Sequence, residues 1–373
     1  MRRSVTIPLL LASVSGSCLA ENCRLLEIPV TVTSTNLVWG PAKFENDFQL
    51  TDLVDKLTSR TPPPPSEIFN GTKDVTASYE IAATYCTPGR GDSNKHKDTL
   101  LIASHGLGYD GSYWDPEIQP ERYSFVRHAT ARGYSVLYYD RLGVGKSTRV
   151  SGYEAQASTQ TAILQELTNQ LKAGKHIKSK PKSVVLVGHS YGSALSLGAA
   201  TADPKIADAL VITGLSLNST YQNTKGFLQV TQPRIASKQR PQQWGKLDTG
   251  YITGVDLYAN ILGFFKYPYF DPKVAQWADD HKAPISISEL LSSSGQEGVP
   301  TEFKGPTLFI TGKYDFIFCQ SNCDDGVLET PADQIFSNFK SISYPESAHG
   351  LNLHKNAPGA FKEIIDFLES NGF

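Results

Sequence analysis

The chain of 373 residues carries 35 lysines and arginines against 37 acids, a formal net charge of -2, and no run of five like charges. That balance leaves no electrostatic footprint for a nucleic-acid partner. The length suffices for one large core, or for a core with a smaller appended unit.

Residues 1–20 read as a secretory signal peptide. Arg2 and Arg3 precede a short apolar stretch, residues 7–14, and Cys18-Leu19-Ala20 offers small residues for cleavage. The stretch falls far below the ~20 residues needed to span a bilayer. With no second apolar stretch of that length and no apolar tail, the expectation is a secreted, extracellular protein without a membrane anchor. Cleavage leaves Cys23, Cys86, Cys319 and Cys323, which allow three pairings in an oxidising compartment. The favoured pairing is Cys23 with Cys86 and Cys319 with Cys323. Loop-closure entropy gives the long bridge about 4 kcal/mol and the short one about 2 kcal/mol, so the short one is a local constraint. No second ligand pair accompanies Cys319 and Cys323, so no metal site is expected. The triplets Asn70-Gly71-Thr72 and Asn218-Ser219-Thr220 are glycosylation sequons, fitting a secreted surface.

Residues 26–39 are rich in Val, Thr and Ile and predict a strand, and residues 48–59 a short helix. Prolines 62–65 break regular structure, because proline fixes φ and removes a backbone donor. Residues 75–86 predict a second strand, which a Cys23–Cys86 bridge would join to the first at one sheet edge. From residue 98 apolar runs (99–104, 134–139, 183–187, 209–213, 307–311, 341–344) alternate with helical patterns (122–132, 155–173, 191–201, 359–371). This predicts an α/β fold, a mostly parallel sheet covered on both faces, with its site at the carboxyl ends of the strands. Residues 217–304 are too long for a bare loop and predict an inserted cap or lid. The insert is dense in aromatics: Trp244, Tyr251, Tyr258, Phe264, Phe265, Tyr267, Tyr269, Phe270 and Trp277. Most are expected to pack the insert's own core and a few to face the strand ends. The expected division is 1–20 leader, 21–96 N-terminal strands and linker, 97–216 first part of the core, 217–304 cap and 305–373 second part of the core.

Gly188-His189-Ser190-Tyr191-Gly192 follows the run 184–187 and precedes a small-residue helix. This context puts Ser190 on a sharp strand-to-helix turn, flanked by residues small enough for close backbone passage. A serine needs a base. Of eight histidines, His349 lies just past a strand and before the last helix, with His354 its near rival. Asp315 ends the strand 307–311 and supplies the acid that holds the base's tautomer, with Asp324 and Asp325 as fallbacks. No acid follows the strand 209–213, which leaves the order Ser, Asp, His. His105-Gly106-Leu107-Gly108 ends the strand 99–104, so the backbone N–H groups of Leu107 and Tyr191 are the candidate oxyanion donors.

Three segments together carry a resemblance: 105–108, Asp140-Arg141-Leu142-Gly143-Val144-Gly145-Lys146-Ser147, and the serine turn. On these the chain resembles the α/β-hydrolase family, in its esterase, lipase and peptidase-like branch, and is similar to secreted fungal members. The resemblance spans about residues 97–216 and 305–373. It implies that Asp140 and Arg141 organise the floor of the site and that catalysis runs through an acyl-enzyme without a cofactor. It fixes mechanism better than substrate; the triad together with the aromatic insert leads to the expectation of a small-molecule carboxylic ester, apolar or a lactone. Two alternatives remain. One is an aminopeptidase or amidase, with Asp248, Asp256, Asp271, Asp279 or Asp280 binding an amine. The other is a non-catalytic binding protein on the same fold.

Overall fold

A computed structural model describes residues 22–90, 92, 93, 95–292, 298–324 and 326–373. The leader read at 1–20 and the fallback acid Asp325 lie outside the described residues.

Strand β1 (Cys23–Trp39) alternates buried and exposed positions from Ile28 to Asn36, as a strand with one solvated face must. It pairs antiparallel with β2 (Phe69–Cys86), and Cys23 lies opposite Cys86 and is bonded to it. Both strands are longer than predicted: β1 takes in Cys23 to Leu25, and β2 takes in Phe69 to Asp74, whose Asn, Gly, Lys and Asp carry no strand signal. Between them runs the helix Asp47–Thr58, capped by Asn46. The prolines do not wholly forbid helix: Pro65 opens a single turn, Pro65–Ile68, where a missing N–H costs nothing.

Strands β3 (Thr99–Ser104), β4 (Ser135–Tyr139), β5 (Ser183–His189), β6 (Ala209–Thr213), β7 (Arg234–Ile235), β8 (Tyr251–Thr253), β9 (Ile285–Ser286), β10 (Thr307–Gly312) and β11 (Phe339–Tyr344) follow. Eight strands form one sheet in the order β1-β2-β4-β3-β5-β6-β10-β11. The pairs from β4 to β11 are parallel, and β1 and β2 add an antiparallel edge. Every residue of β3, β4, β6 and β10 is buried, because helices cover both faces. One apolar cluster sets Leu101, Val136, Val185 and Ile310 against the last helix, Ala357–Ser370, through Phe361, Ile364 and Leu368. The other sets Leu100, Leu137, Leu186 and Phe309 against the helices Ala157–Lys172 and Tyr191–Ala202. The predicted helix over 122–132 is two pieces, Pro120–Tyr123 and Phe125–Ala131, because the Ser124 side chain caps the second.

The stretch between β6 and β10 folds as short helices and a three-stranded antiparallel sheet, β7-β8-β9. Its aromatics mostly do not make a core of their own. Only Trp244 and Tyr251 belong to a separate small cluster; Phe264, Phe265 and Phe270 join the cluster that holds Tyr113, Trp114 and Phe361. Tyr258 and Tyr267 are exposed. Elements this short cannot enclose an apolar interior, so they bury their rings against the strand ends beneath them. Ser286 Oγ donates to the carbonyls of Gly152 and Ala155, and Ser288 Oγ to that of Tyr153.

Candidate active site

β5 ends at His189 and the helix Tyr191–Ala202 begins at once, so the chain must reverse within Ser190. That residue sits at φ 53°, ψ -118°, a conformation side chains adopt only where the surroundings hold them. The surroundings here are the two glycines of the motif. A Cβ on Gly192 would stand 2.1 Å from the Ser104 carbonyl oxygen, and one on Gly188 2.4 Å from the Ser193 Cα. The Ser190 N–H donates to the Thr213 carbonyl at 2.8 Å, fastening the turn to the next strand.

Asp315 caps the short helix Phe316–Cys319. Its Oδ1 accepts from the N–H groups of Ile317 and Phe318 at 2.8 and 2.9 Å, which turns Oδ2 towards His349 Nδ1 at 2.7 Å. Asp315 and His349 are both fully buried. The Cys319–Cys323 bridge closes this acid loop, and the Cys323 N–H donates to the Lys313 carbonyl at 2.9 Å. These two cysteines form a disulfide and not half of a metal site. Asp324, the fallback acid, is a surface group paired with Lys313 and Ser343.

His349 has its Nε2 buried and without a hydrogen-bond partner among the described residues. Its ring packs among Phe264, Phe318 and His189, at centroid distances of 5.4, 5.7 and 5.0 Å. Nδ1 is committed to Asp315, so Nε2 is the nitrogen left to take a proton. His354 is not its equal. His354 Nε2 accepts from the N–H groups of Ala348 and Lys266, Nδ1 faces the Gly350 carbonyl, and burial pushes the imidazole down to about 4. It braces the histidine loop.

Ser190 and His349 line one cavity of about 430 Å³, together with Leu107 and Tyr191. The other walls are mostly apolar, and no carboxylate, lysine or arginine lines it among the described residues. Gly106 brings the Leu107 turn against the serine: a Cβ there would meet the Ser190 Cβ at 2.9 Å. The Leu107 N–H meets no acceptor among the described residues. His105 is buried beneath this turn. Its Nε2 accepts from the Arg141 N–H at 3.1 Å, which puts the proton on Nδ1, 2.9 Å from the Gly106 carbonyl. Burial and the Arg141 charge hold it neutral. His189 stacks on Tyr113 and bonds Thr213 Oγ1 through Nδ1; burial holds it neutral as well.

Asp140 and Arg141 lie behind the cavity and not in its wall. Asp140 accepts from the N–H groups of Gly111 and Lys146, tying two loops, while burial raises its carboxyl above the usual range. The Arg141 guanidinium is buried over the Tyr191 ring at 4.6 Å and within 3.4 Å of the Gly106 carbonyl. Its counter-ion is Glu289, on the helix Ile287–Ser292 of the insert, which also accepts from Gln160 at 2.6 Å. The sequence reading missed Glu289 and Gln160. A lone acid inside the apolar run Ile285-Ser286-Ile287-Ser288-Glu289-Leu290-Leu291 was the signal available. It also missed that Phe264 reaches the histidine: the Gly350 N–H donates to the Phe264 carbonyl at 2.7 Å.

The five acids considered for amine binding are engaged elsewhere. Asp248 accepts from Gly152 and Gly250, Asp256 and Asp271 cap helices, Asp279 pairs with Arg240 and Lys282, and Asp280 accepts from Gln276. None lines the cavity. Among the described residues no helix is long and apolar enough to cross a membrane.

Residues 100–361 match the family model described as the alpha/beta hydrolase family. The chain is 24% identical to the sn-1-specific diacylglycerol lipase ABHD11 of Danio rerio, over 95% of this chain and 100% of that protein. Among solved structures, a thermophilic esterase from Thermogutta terrifontis superposes with a TM-score of 0.51 at 15% identity, over 79% of this chain and 95% of that one. Rv0554 from Mycobacterium tuberculosis gives 0.54 at 16%, over 81% and 96%. These structural likenesses are of fold. The chain belongs to the α/β-hydrolase family.

Proposed function

We propose that this protein is a serine hydrolase of carboxylic esters, with Ser190 as nucleophile, His349 as base and Asp315 as the acid that orients the base. The observation that carries this reading is the Asp315–His349 contact, which leaves a bare Nε2 on the same apolar cavity that the strained Ser190 lines. Ser190 Oγ gives its proton to His349 Nε2 as it attacks the ester carbonyl, and the Leu107 and Tyr191 N–H groups take the oxyanion. The imidazolium then protonates the departing alcohol, and water activated at the same nitrogen hydrolyses the acyl-enzyme. Catalytic hydrogen bonds of this kind tighten when substrate is bound. The uncharged cavity favours an apolar ester or lactone over a free amino terminus.

The protein is further proposed to be secreted, with residues 217–304 as its cap. Two disulfides and the exposed sequon at Asn70 support secretion. The experiment is to treat the protein with a fluorophosphonate and locate the adduct. Wild type should carry it on Ser190, and Ser190→Ala should neither label nor turn over aryl esters. An unlabelled wild type would place this chain among the non-catalytic members of its fold.

A further inference from the structure

The cavity has a direction. Tyr191, Ala194 and Leu197 all line it, and at i, i+3 and i+6 they form one stripe along the helix that the nucleophile opens. At a rise of about 1.5 Å per residue, that stripe carries the cavity roughly 9 Å away from Ser190. The far end is marked by Gly298, which also lines the cavity and whose Cβ would fall 2.6 Å from Thr201 Cγ2, on the helix's last turn. Tyr191 to Thr201 is roughly 15 Å of helix. Val299, beside Gly298 and 44% exposed, brings the limb to the surface. Leu215 and Phe227 line the same cavity.

We propose that this limb is an acyl channel and that the substrates are esters of straight, uncharged, medium-length acids of about eight to ten carbons. An extended alkyl chain advances a little over an ångström per carbon, so a chain of about that length spans the roughly 9–15 Å between the serine and the outer end. Ala194 leaves the room beside the helix that a methylene chain needs, and the absence of charged lining among the described residues excludes a second carboxylate or an amine on the chain. Longer chains pass Val299 into water and gain nothing further. This inference rests on the ester-hydrolase reading above.

The test is a series of p-nitrophenyl esters from acetyl to palmitoyl on the full-length protein, beside labelling by ethyl and octyl fluorophosphonates. kcat/KM should rise by about threefold per added methylene until about eight to ten carbons, then level off, since each newly buried methylene adds a similar increment. Leu197→Trp should lower the octanoyl-to-acetyl ratio at least about tenfold by filling the limb. Val299→Trp, at the outer end of the limb, should lower kcat/KM for chains beyond about ten carbons at least about threefold relative to octanoyl. Should wild type prefer acetyl over octanoyl, or should neither substitution move the profile while Ser190 still reacts with fluorophosphonate, the channel is refuted and the hydrolase reading survives. Failure of both fluorophosphonates to label Ser190 would instead refute the hydrolase reading.

Discussion

Asp315 holds two groups at once, and its two oxygens do different work. Oδ1 is fixed by two backbone N–H groups, so only Oδ2 is left to fix the tautomer of His349. Asp315→Asn keeps the size but offers a donor where the histidine needs an acceptor, which favours the wrong tautomer. We expect kcat to fall by about 10³–10⁴ with KM for a short aryl ester little changed. A loss under tenfold would mean that another carboxylate orients the base. At this scale much of the candidate site was legible, because Ser190, Asp315 and Leu107 each sit just past the end of an apolar run that can only be a buried strand. His349 follows the edge strand β11, none of whose residues is buried, and was legible only from its place between that strand and the last helix. Glu289 was missed because a lone acid in a largely apolar stretch hints at a buried charge but does not say what it will meet across the molecule.

Single contacts of that kind decide how the insert sits on the sheet. The Arg141–Glu289 pair joins the loop after β4 to the helix Ile287–Ser292, and both side chains are buried. Removing one partner strands the other charge in a low-dielectric interior. Glu289→Ala should therefore destabilise the protein by about 3–5 kcal/mol, read as a lowered urea midpoint. The double change Arg141→Met with Glu289→Leu should recover most of that loss, since the pair repays its own desolvation poorly. An unfolding free energy for Glu289→Ala within about 1 kcal/mol of wild type would show that water reaches Arg141. The same elements mark where sequence reading ran out. Parallel strands buried on both faces announce themselves as unbroken apolar runs, so β3, β4, β5, β6 and β10 were found to within a residue or two. The insert's strands are two or three residues long and carry no periodicity to read. Its rings were assigned to a local core when the cluster they join includes residues about ninety or more positions away, such as Tyr113 and Phe361.

For the whole molecule, the buried histidines set the response to acid. His105, His189 and His354 are fully buried, and burial keeps all three neutral in the folded state, His354 down to about 4. Unfolded, each regains its ordinary affinity for protons near 6.5. Between the two values the unfolded chain binds a proton that the folded chain refuses, so stability is complete above about pH 7 and drains away as pH falls. His354 alone accounts for about 3 kcal/mol by pH 4, and about 2 kcal/mol by pH 5. Asp115 and Asp140, whose carboxyls burial raises, act with the opposite sign, protonating first in the folded state. Their effect falls lower on the scale, where carboxyls titrate. The urea midpoint should therefore drop between about pH 7.5 and about pH 5, reversibly and with both disulfides intact. His354→Gln can still accept from Ala348 and Lys266 and donate to Gly350, yet it cannot titrate. It should be less stable than wild type at about pH 7.5 and show a flatter decline towards about pH 5. A midpoint that holds or rises on acidification, or a His354→Gln slope as steep as wild type, would mean that these imidazoles take up protons in the folded protein and that its interior is wetter than the packing around them.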